Sequence, residues 1–375
     1  MVSEVRKKRI EEVYETPIVK QTAFWSEVKR RMGAEPLVCD FNVRADVLDV
    51  EAQNNLHAVS DVLVLLQRLN SSQSIAYVPY GPEIEPMEEV QGAFLEDLSE
   101  SLRSHLPSGC LMIRYDLSWE SLWAKDTDFF DENGSWLGPP SPESQETRFN
   151  FSTAEWRFRK APTNLLPSNT IFVDLSLTEA QILARMKPKT RYNIGLSQRR
   201  GVHVRTAHID ELPVWYRLYT ETAHRNRFYL HDLDYFKAVL TANVTGSTSS
   251  TQVYLLIAEL DGLALAAMFL VLTGKRGTYL YGASSDLHRN SMPTYALQWE
   301  AMRLAKAAGC DSYDLFGVAP TADDAHPMSG LNRFKSGFGG SMHHGMGCWD
   351  YPLEADVYAY YRAVEMSQQG YHLSH

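Results

Sequence analysis

The sequence predicts an α+β fold, and three observations in its second half carry that prediction. Two apolar runs lie on either side of Asp261-Gly262, and an Asp-Gly pair between apolar runs is a strong signal for a β-hairpin. A further strand is predicted at 277–281. Pro293 then opens an amphipathic helix, and another strand is predicted at 312–316. Strands and helices in this order indicate a mixed sheet with helices packed on it.

The composition fits a globular chain with room for two domains. The 375 residues are 44% hydrophobic and 22% charged, close to the average of folded proteins, and domains usually hold ~100–200 residues. The 36 Lys and Arg against 46 Asp and Glu give a net charge of -10. This charge argues against a broadly basic nucleic-acid-binding protein but leaves room for a local basic patch.

Neither a membrane span nor a secretory signal is expected. No apolar run reaches the ~18 residues that a span needs, and no apolar segment follows the basic residues 6–9. The cysteines show no C-x-x-C spacing, so we expect reduced thiols in a cytoplasmic protein and no zinc site. These residues are Cys39, Cys110, Cys310 and Cys348.

The first half of the chain is predicted to hold three helices and one irregular insertion. One helix surrounds 24–29, an amphipathic helix runs from about Asn54 to Leu69, and the acidic segment 83–100 is the solvated face of a third. The segment 125–150 is rich in Asp, Glu, Pro, Ser and Gly. It is predicted to be a surface loop or a partly disordered insertion, and no role is assigned to it.

A basic segment at 184–205 is the first candidate for chemistry. It follows a predicted strand at 170–176 and a predicted helix start at Thr178, and it contains seven Lys or Arg and no acid. One interpretation is an anion-binding strip for the phosphates of a nucleotide or an RNA backbone. The other is an exposed helix face with unpaired charge, and the segment alone favours neither.

The glycine-rich segment 331–340 is the second candidate. Its glycines would let the backbone approach a ligand closely, while Arg333 and Lys335 add positive charge. Phe334 lies between the two cations and could stack on a nucleic-acid base. A glycine-rich turn without a ligand is the alternative.

The third candidate is the segment 221–231, predicted as a helix on which Arg225 and Tyr229, four residues apart, share one face. The alternative is a surface helix whose cations face water. His288 and His326 are expected to be ordinary core or surface histidines, and His343-His344 has no acidic or Cys companion at ligand spacing.

The sequence lacks the motifs of several common enzyme classes. The sequence contains no G-x-S-x-G, no Walker P-loop and no H-E-x-x-H. Acyl-CoA enzymes of the GNAT type need an [RQ]-x-x-G-x-[GA] loop for the pyrophosphate, and the closest segment, 198–203, ends in His203 where Gly or Ala is required. That departure weakens an acyl-CoA function.

Taken together, the segments resemble the Fem family (FemABX-type) of bacterial aminoacyltransferases. They occur in the family's order and span most of residues 15–355. The resembling segments are 21–29, 170–176, 186–194, 281–290, 297–300, 313–317 and 326–340.

The resemblance implies two GNAT-like domains with mixed sheets flanked by helices and a cleft between them. Residues 1–165 with 347–375 would hold a peptidoglycan precursor, either UDP-MurNAc-pentapeptide or lipid II. Residues 166–346 would receive the end of an aminoacyl-tRNA. The helical arm of some family members is expected to be absent, because only a Ser/Thr-rich stretch occupies 245–251. Contact with the membrane face is expected only for a lipid-linked precursor.

The resemblance also implies roles for individual residues. Lys29 and Arg225 match positions that hold the phosphates of the precursor, and Tyr229 and Tyr281 would line the same cleft. Phe334 and Arg333 would contact the 3′ end of the tRNA. Lys335 would be the catalytic group and would face the groove lined by positions 29 and 225.

The implied reaction joins an amino acid to the stem-peptide amine and needs little machinery. The ester of an aminoacyl-tRNA is already activated, so positioning and stabilisation of the oxyanion would provide most of the catalysis. The cation at Lys335 suits that oxyanion, and no metal, cofactor or protein nucleophile is expected. Two alternatives stay open: a GNAT-type acyltransferase that uses acyl-CoA on a small amine or sugar, and a non-catalytic module that binds tRNA or a cell-wall precursor.

Overall fold

The computed structural model describes residues 1–49, 56–132, 134–227, 229–319 and 329–372, whose strands form one long mixed sheet. In chain order the strands are β1 Val2–Lys8, β2 Glu35–Arg44, β3 His57–Arg68, β4 Ser74–Pro79, β5 Cys110–Glu120, β6 Arg159–Lys160, β7 Asn169–Asp174, β8 His203–Ala207, β9 Gln252–Leu260, β10 Leu263–Thr273, β11 Arg276–Ser284, β12 Ser312–Asp314 and β13 Ser341–Pro352. The helices are α1 Ala23–Arg31, α2 Gln91–Arg103, α3 Pro142–Asn150, α4 Glu179–Arg185, α5 Pro188–Arg199, α6 Leu212–Asn226, α7 Leu233–Thr241, α8 Pro293–Ala307, α9 Ser329–Lys335 and α10 Ala355–His372.

The sheet consists of two half-sheets joined by β13. The strand order is β1-β2-β3-β4-β5-β13-β7-β12-β11-β10-β9-β8, with β6 paired to β13 outside this path. The first part of β13, through His344, pairs with β7, and the part from Gly345 onward pairs with β5. Each half-sheet contains one parallel pair, β4–β5 in the first and β11–β12 in the second. The predicted α+β class is confirmed.

One apolar core joins the two half-sheets on the face that carries α1, α6 and α7. Trp25 of α1 and Leu63 of β3 pack there in the same cluster as Trp215 of α6 and Phe269 of β10. The other face is covered in two separate parts. Helices α2 and α3 pack on the first half-sheet, and α5 and α8 pack on the second. The predicted domain limits, 1–165 with 347–375 and 166–346, stay a prediction.

The hairpin, the strands on either side of the Pro293 helix and that helix itself, all predicted in the second half of the chain, are confirmed. β9 and β10 form a hairpin around Asp261 and Gly262, both of which have positive φ, as a tight hairpin turn requires. α8 starts at the predicted Pro293, and Thr178 caps α4 through its side chain. Residues 242–251 connect α7 to β9 without a helix, in agreement with the expected lack of an arm.

Two predictions in the first half are wrong. The helix expected from Asn54 to Leu69 is strand β3, preceded by residues outside the described range. Both faces of β3 are buried, so its apolar residues run together without the alternation that marks a strand. The segment 125–150 is not a plain loop, because it ends in α3, begins that helix with a Ser141 cap and buries Trp136.

The acidic segment is a helix only from Gln91 onward, and one of its acids is not solvated. Glu96 is buried and accepts hydrogen bonds from the backbone N–H groups of Ala154 and Glu155 at 2.6 and 2.9 Å. Among the helices that the structure describes, none is both long enough and apolar enough to cross a bilayer.

Candidate functional site at the junction of the half-sheets

Two lysines and four aromatic rings meet where α1 packs on α7 and β11. We call this group, Lys20, Trp25, Lys29, His231, Tyr235 and Tyr281, the cation–aromatic cluster. Lys29 lies on α1, with its Nζ 5.1 Å from the ring centre of Trp25 and 5.6 Å from that of Tyr235. Burial lowers the pKa of Lys29. No described carboxylate forms an ion pair with this side chain.

Lys20, to which no feature of the sequence pointed, is the more buried lysine of the cluster. Its side chain is 3% exposed and its Nζ lies 3.2 Å from the ring centre of Trp25. Burial and the neighbouring charge of Lys29 hold its pKa well below the usual range. No hydrogen bond or ion pair connects its Nζ to the residues that the structure describes. An unpaired buried cation is costly unless a ligand compensates it.

The aromatic residues of α7, of the loop before it and of β11 contact one another at this point. The hydroxyl groups of Tyr235 on α7 and Tyr281 on β11 share a 2.6 Å hydrogen bond, and burial raises the pKa of Tyr235 to about 12. His231 stacks on Tyr235 with 4.3 Å between ring centres, and burial and Lys29 lower its pKa. The histidine is therefore neutral near pH 7 and adds no positive charge to the cluster.

Arg225 and Tyr229 do not share a helix face, and that prediction is wrong. α6 ends at Asn226 and Arg227 is left-handed, with a φ of 53°, so Tyr229 lies in the loop beyond the helix. Tyr229 is 79% exposed and reaches the cluster through an edge-to-face contact with His231, 5.3 Å between ring centres. The guanidinium of Arg225 is held by the carbonyl of Ser284 and the carboxylate of Asp286, each at 3.1 Å.

Lys335 lies inside the second half-sheet, at the point where the parallel pairing of β11 and β12 ends. These strands pair only over 276–278 and 312–314. The Nζ of Lys335 donates to the carbonyls of Phe316 and Gly317 at 2.9 and 2.8 Å, and the side chain is 4% exposed. It lies 5.1 Å from the ring centre of Tyr279. The expectation that Lys335 faces an open groove lined by positions 29 and 225 is therefore wrong.

The environment of Lys335 changes its charge state. Burial lowers its pKa to about 7, although the negative charge of Asp314 acts in the opposite direction. An ammonium has three N–H donors, and the two carbonyls use two of them. Among the described residues, the third donor has no acceptor.

Phe316 connects Lys335 with the cation–aromatic cluster. Its carbonyl accepts from Lys335, while its ring lies 5.9 Å from the Nζ of Lys20 and 6.2 Å from the ring of Tyr80. A cavity of about 260 Å³ lies on the ring side, between the half-sheets, and its wall includes Lys20, Glu83, Phe316 and Thr278. Burial raises the pKa of Glu83. The two cationic groups thus lie on either side of a single phenylalanine.

The sequence profile of the FemAB family matches residues 21–262 and 256–366. The chain belongs to the FemAB family. The crystal structure of FemX superposes with a TM-score of 0.71 at 15% identity, covering 96% of this chain and 100% of that chain. A likeness at this identity shows that the two chains share a fold.

Two relatives are similar in sequence over parts of their length, and both are named lipid II:glycine glycyltransferase. The protein of Staphylococcus saprophyticus is 36% identical over 98 residues, 26% of this chain and 24% of that protein. The protein of Staphylococcus epidermidis is 21% identical over 249 residues, 51% of this chain and 60% of that protein. The FemAB chain thus spans less than two thirds of these relatives.

The segment 331–340, which contains Lys335, packs more tightly than its glycine-rich sequence predicts. Phe334 is half-buried, with its ring edge-on to Tyr295 at 5.0 Å, whereas Arg333 is exposed. A Cβ on Gly337 would lie 2.3 Å from the Oγ1 of Thr190, so this glycine serves contact with α5 and not with a ligand. That part of the ligand-approach prediction is wrong.

The basic segment of this FemAB protein runs beside Lys335. The backbone N–H of Lys187 donates to the carbonyl of Gly337 at 2.9 Å, which fastens the start of α5 to the end of α9. Lys187 and Lys189 are exposed, so this end of α5 presents cations to solvent, whereas the exposed Arg191 also donates to the carbonyl of Met186 at 2.6 Å. Arg205 is committed elsewhere, in ion pairs with Glu211 and Glu259.

The histidines hold structural positions, as expected where the structure describes them. A 2.8 Å hydrogen bond joins Nε2 of His343 to the carbonyl of Ser118, and a 2.7 Å bond joins Nδ1 of His344 to Oδ1 of Asn169. His326 lies outside the described residues. In the described part of the chain, no group of three His, Cys, Asp or Glu is placed to hold a metal ion.

Lys20→Met is expected to stabilise the protein and to impair its function. Methionine keeps the contact with Trp25 and removes an unpaired buried charge, so the free energy of unfolding in urea should rise by about 0.5–2 kcal/mol at pH 7. Lys8→Met is the matched control, because Lys8 is also buried over an aromatic ring, that of Tyr14, but pairs with Asp61 at 2.5 Å. The control should lose stability. A loss for Lys20→Met as well would show that the charge of Lys20 is already compensated.

Proposed function

We propose that this FemAB protein transfers an amino acid from aminoacyl-tRNA to the stem-peptide amine of a peptidoglycan precursor, UDP-MurNAc-pentapeptide or lipid II. Family membership and the glycyltransferase names of its relatives support transfer of an amino acid into a peptidoglycan bridge. The use of aminoacyl-tRNA as the donor and the identity of the precursor go beyond that support and are part of our proposal. Residues 166–346 would take the tRNA end, and 1–165 with 347–375 the precursor.

The geometry of Lys335 carries the proposal. The side chain is fixed by two backbone carbonyls at the end of the β11–β12 pairing, and its third N–H donor has no acceptor in the part of the chain that the structure describes. A donor fixed before the reaction stabilises a developing oxyanion without having to reorganise. An ester carbonyl placed against that donor would gain most as its oxygen becomes negative.

The proposed chemistry needs no covalent enzyme intermediate. The acceptor amine attacks the ester carbonyl, a C–N bond forms and the ester C–O bond to the ribose breaks. The proton that the amine loses ends on the departing ribose oxygen. The protein contributes proximity, orientation and the cation of Lys335.

The cation–aromatic cluster would bind the phosphates of the precursor. Lys29 lies close enough to Lys20 that its charge lowers the pKa of Lys20. Neither lysine forms an ion pair with a described carboxylate. Phosphate oxygens would supply the missing negative charge. Tyr281 and the exposed Tyr229 would line the same cleft. Arg225 could join them only by exchanging its bond to Asp286 for one to phosphate.

The tRNA would approach from the side of α5 and α9. The exposed Lys187, Lys189 and Arg191 offer cations for backbone phosphates next to the buried Lys335. Phe334 and Arg333 remain our candidates for contact with the terminal adenosine. Because Tyr295 packs against Phe334 at 5.0 Å, stacking of a base on it would need a shift of one of the two rings.

Lys29→Gln is expected to weaken binding of the precursor while leaving the chemical step nearly unchanged. Loss of one charge-assisted hydrogen bond costs about 1.5–3 kcal/mol, so KM for the precursor should rise roughly 10- to 100-fold with little change in kcat. Initial rates at several precursor concentrations measure both constants. Lys237→Gln, an exposed lysine of α7, is the control and should behave as the unmodified protein. A fall in kcat at unchanged KM would contradict the assignment.

The direct test incubates the protein with mixed aminoacyl-tRNAs and UDP-MurNAc-pentapeptide and follows the precursor by mass spectrometry. The proposal is supported if the precursor gains an aminoacyl mass, and if it gains none when the tRNA is digested with ribonuclease before the reaction. If neither this precursor nor lipid II in detergent gains mass with any amino acid, the proposal is wrong. Turnover separates it from a non-catalytic module, which would bind either partner without product.

The acyl-CoA alternative loses support from the position of 198–203. Gln198 and Arg199 form the last turn of α5, and Gly201 follows the helix. A pyrophosphate is held by the free N–H groups at the start of a helix, whereas this end presents carbonyl groups. We therefore expect that CoA does not raise the melting temperature of the protein in a thermal-shift assay.

A further inference from the structure

Asp314 is the last residue of β12 and directly precedes the loop that holds Lys335. The loop is attached to β7 at both ends, because the N–H groups of Leu315 and Val318 donate to carbonyls of β7 at 2.9 and 3.0 Å. The two residues between these attachments supply the carbonyls that bind Lys335, and they are Phe316 and Gly317. The conformation of this loop therefore decides where the ammonium group lies.

The side chain of Asp314 stabilises that conformation. Its Oδ1 accepts a hydrogen bond from the backbone N–H of Phe316 at 2.8 Å and another from the hydroxyl of Thr170 on β7. Phe316 is left-handed, with a φ of 56°, a conformation that is unfavourable for a residue with a Cβ. Backbone strain of this kind persists only where the surroundings enforce it, and it is concentrated at functional sites.

Asp314 thus acts on Lys335 through a single residue. The carboxylate binds the N–H of Phe316, and the carbonyl of the same residue accepts from the Nζ of Lys335 at 2.9 Å. The half-buried carboxylate also lies in the wall of the 260 Å³ cavity, together with the ring of Phe316. In the described part of the chain, Asp314 forms no ion pair, and its Oδ2 accepts no hydrogen bond.

The charge of Asp314 acts on Lys335 as well. It favours the ammonium form and so opposes the effect of burial on the pKa of Lys335. Burial raises the pKa of Tyr279, whose ring lies 5.1 Å from the Nζ, to about 12, so this phenol is neutral. The exposed cations at the start of α5 disfavour the ammonium form, but solvent screens them; they are Lys187, Lys189 and Arg191. Further titratable groups on neighbouring elements and in the cavity wall are Lys20, Glu83, Arg276, Tyr295, Arg333 and His343.

We propose that Asp314 is a positioning residue for Lys335: it holds the loop whose carbonyls bind the ammonium group, and its carboxylate is the counter-charge of that group. The inference rests on the proposed role of Lys335 in amino-acid transfer. The effect of Asp314 on Lys335 itself is measurable without substrates. Without the carboxylate, Lys335 would lose its proton at a lower pH.

Asp314→Asn tests the charge. The amide oxygen of asparagine still accepts from Phe316 and Thr170, and its NH₂ group replaces an oxygen that has no described partner, so the loop should keep its conformation. In ¹³C-lysine-labelled protein the Cε resonances follow the titration of each lysine, and the resonance absent from Lys335→Met identifies Lys335. Its titration midpoint should fall by about one pH unit in Asp314→Asn. An unchanged midpoint would overturn the proposal.

Asp174→Asn is the matched control. Asp174 ends β7, and its Oδ1 also accepts from the backbone N–H two residues further on, that of Ser176 at 3.0 Å, and from the hydroxyl of the same residue. Its other oxygen pairs with Arg185, and its charge has no described effect on Lys335. The midpoint of Lys335 should therefore stay at the value of the unmodified protein. An equal shift in both variants would reduce the effect to the net charge of the chain and contradict the proposal.

Transfer rates separate this inference from the proposed function. In single turnovers, Asp314→Asn should move the decline of the rate with pH by the same amount as the NMR midpoint. Thr170→Val keeps the charge but removes one hydrogen bond of the carboxylate, and should lower the rate roughly three- to tenfold at every pH. A rate equal to that of the unmodified protein would overturn the positioning of the loop. If no variant and not even the unmodified protein transfers an amino acid, while the midpoint of Lys335 still falls in Asp314→Asn, the proposed function fails and the effect of Asp314 on Lys335 is supported.

Discussion

Lys335→Met is expected to lower the rate of amino-acid transfer about 100- to 1,000-fold, the usual effect of removing one preorganised oxyanion donor. Methionine fills a similar volume, so the side chain should still occupy the end of the β11–β12 pairing. The measurement is a single-turnover rate with aminoacyl-tRNA and saturating precursor. Lys306→Met is the control, because Lys306 also donates to a backbone carbonyl of this half-sheet, that of Leu175 at 2.7 Å. A comparable loss in both variants would assign Lys335 a purely structural role.

The pH dependence of the same reaction tests the charge of Lys335. Burial lowers its pKa to about 7, so the ammonium predominates below that value and the neutral amine above it. A cation that stabilises an oxyanion predicts a rate that falls as pH rises through about 7. Lys335→Arg, whose guanidinium stays protonated, should lose this decline even if its rate is lower. A rate that rises through pH 7 in the unmodified protein but not in Lys335→Arg would instead identify the amine of Lys335 as a base.

Arg114→Met is expected to cause the largest loss of stability, about 3–5 kcal/mol, because it leaves a buried carboxylate without its partner. Arg114 of β5 and Asp350 of β13 are both buried and joined by two hydrogen bonds of 2.6 and 2.8 Å. The same guanidinium binds Glu365 of α10 at 2.8 Å. Such a loss is a large part of the 5–15 kcal/mol that typical domains possess, and urea unfolding would measure it.

Two further variants test whether the loss of stability in Arg114→Met comes from the unpaired buried carboxylate or from packing. Arg114→Met combined with Asp350→Leu removes both charges and should recover most of the lost stability. Arg303→Met breaks an exposed ion pair with Glu179 and should cost less than about 1 kcal/mol. If the double variant is as unstable as the single one, the loss comes from packing and not from the unpaired carboxylate.

The elements that the sequence predicts correctly are those with local signals. The turn at Asp261-Gly262 and the helix that begins at Pro293 depend on residues next to them in the chain. β3 escaped prediction because a strand buried on both faces has no alternation to recognise. Ser141 followed by Pro142 is a recognisable start signal for α3, but the polar composition of the segment 125–150 favoured a loop instead.

The candidate site was predictable only in part, since its members come from distant parts of the chain. Lys29 and Tyr281 were found through resemblance, whereas His231 and Tyr235 join them only through the packing of α7 on α1. Lys20 carries no signal in the sequence, because an unpaired cation is recognisable only once its neighbours are known. The burial of Lys335 was likewise invisible, since the two carbonyls that hold it belong to a loop 18 and 19 residues away.

The apolar core shared by both half-sheets and the strand that runs through them have a consequence for substrate choice. A hinge motion would have to pull Trp25 and Leu63 away from Trp215 and Phe269 and bend β13, so the two halves cannot swing apart at low cost. The distance from the cation–aromatic cluster to Lys335 is then nearly constant. If phosphate binds at one end and the ester at the other, this fixed distance would favour acceptors whose phosphate and reacting amine are separated by a matching length.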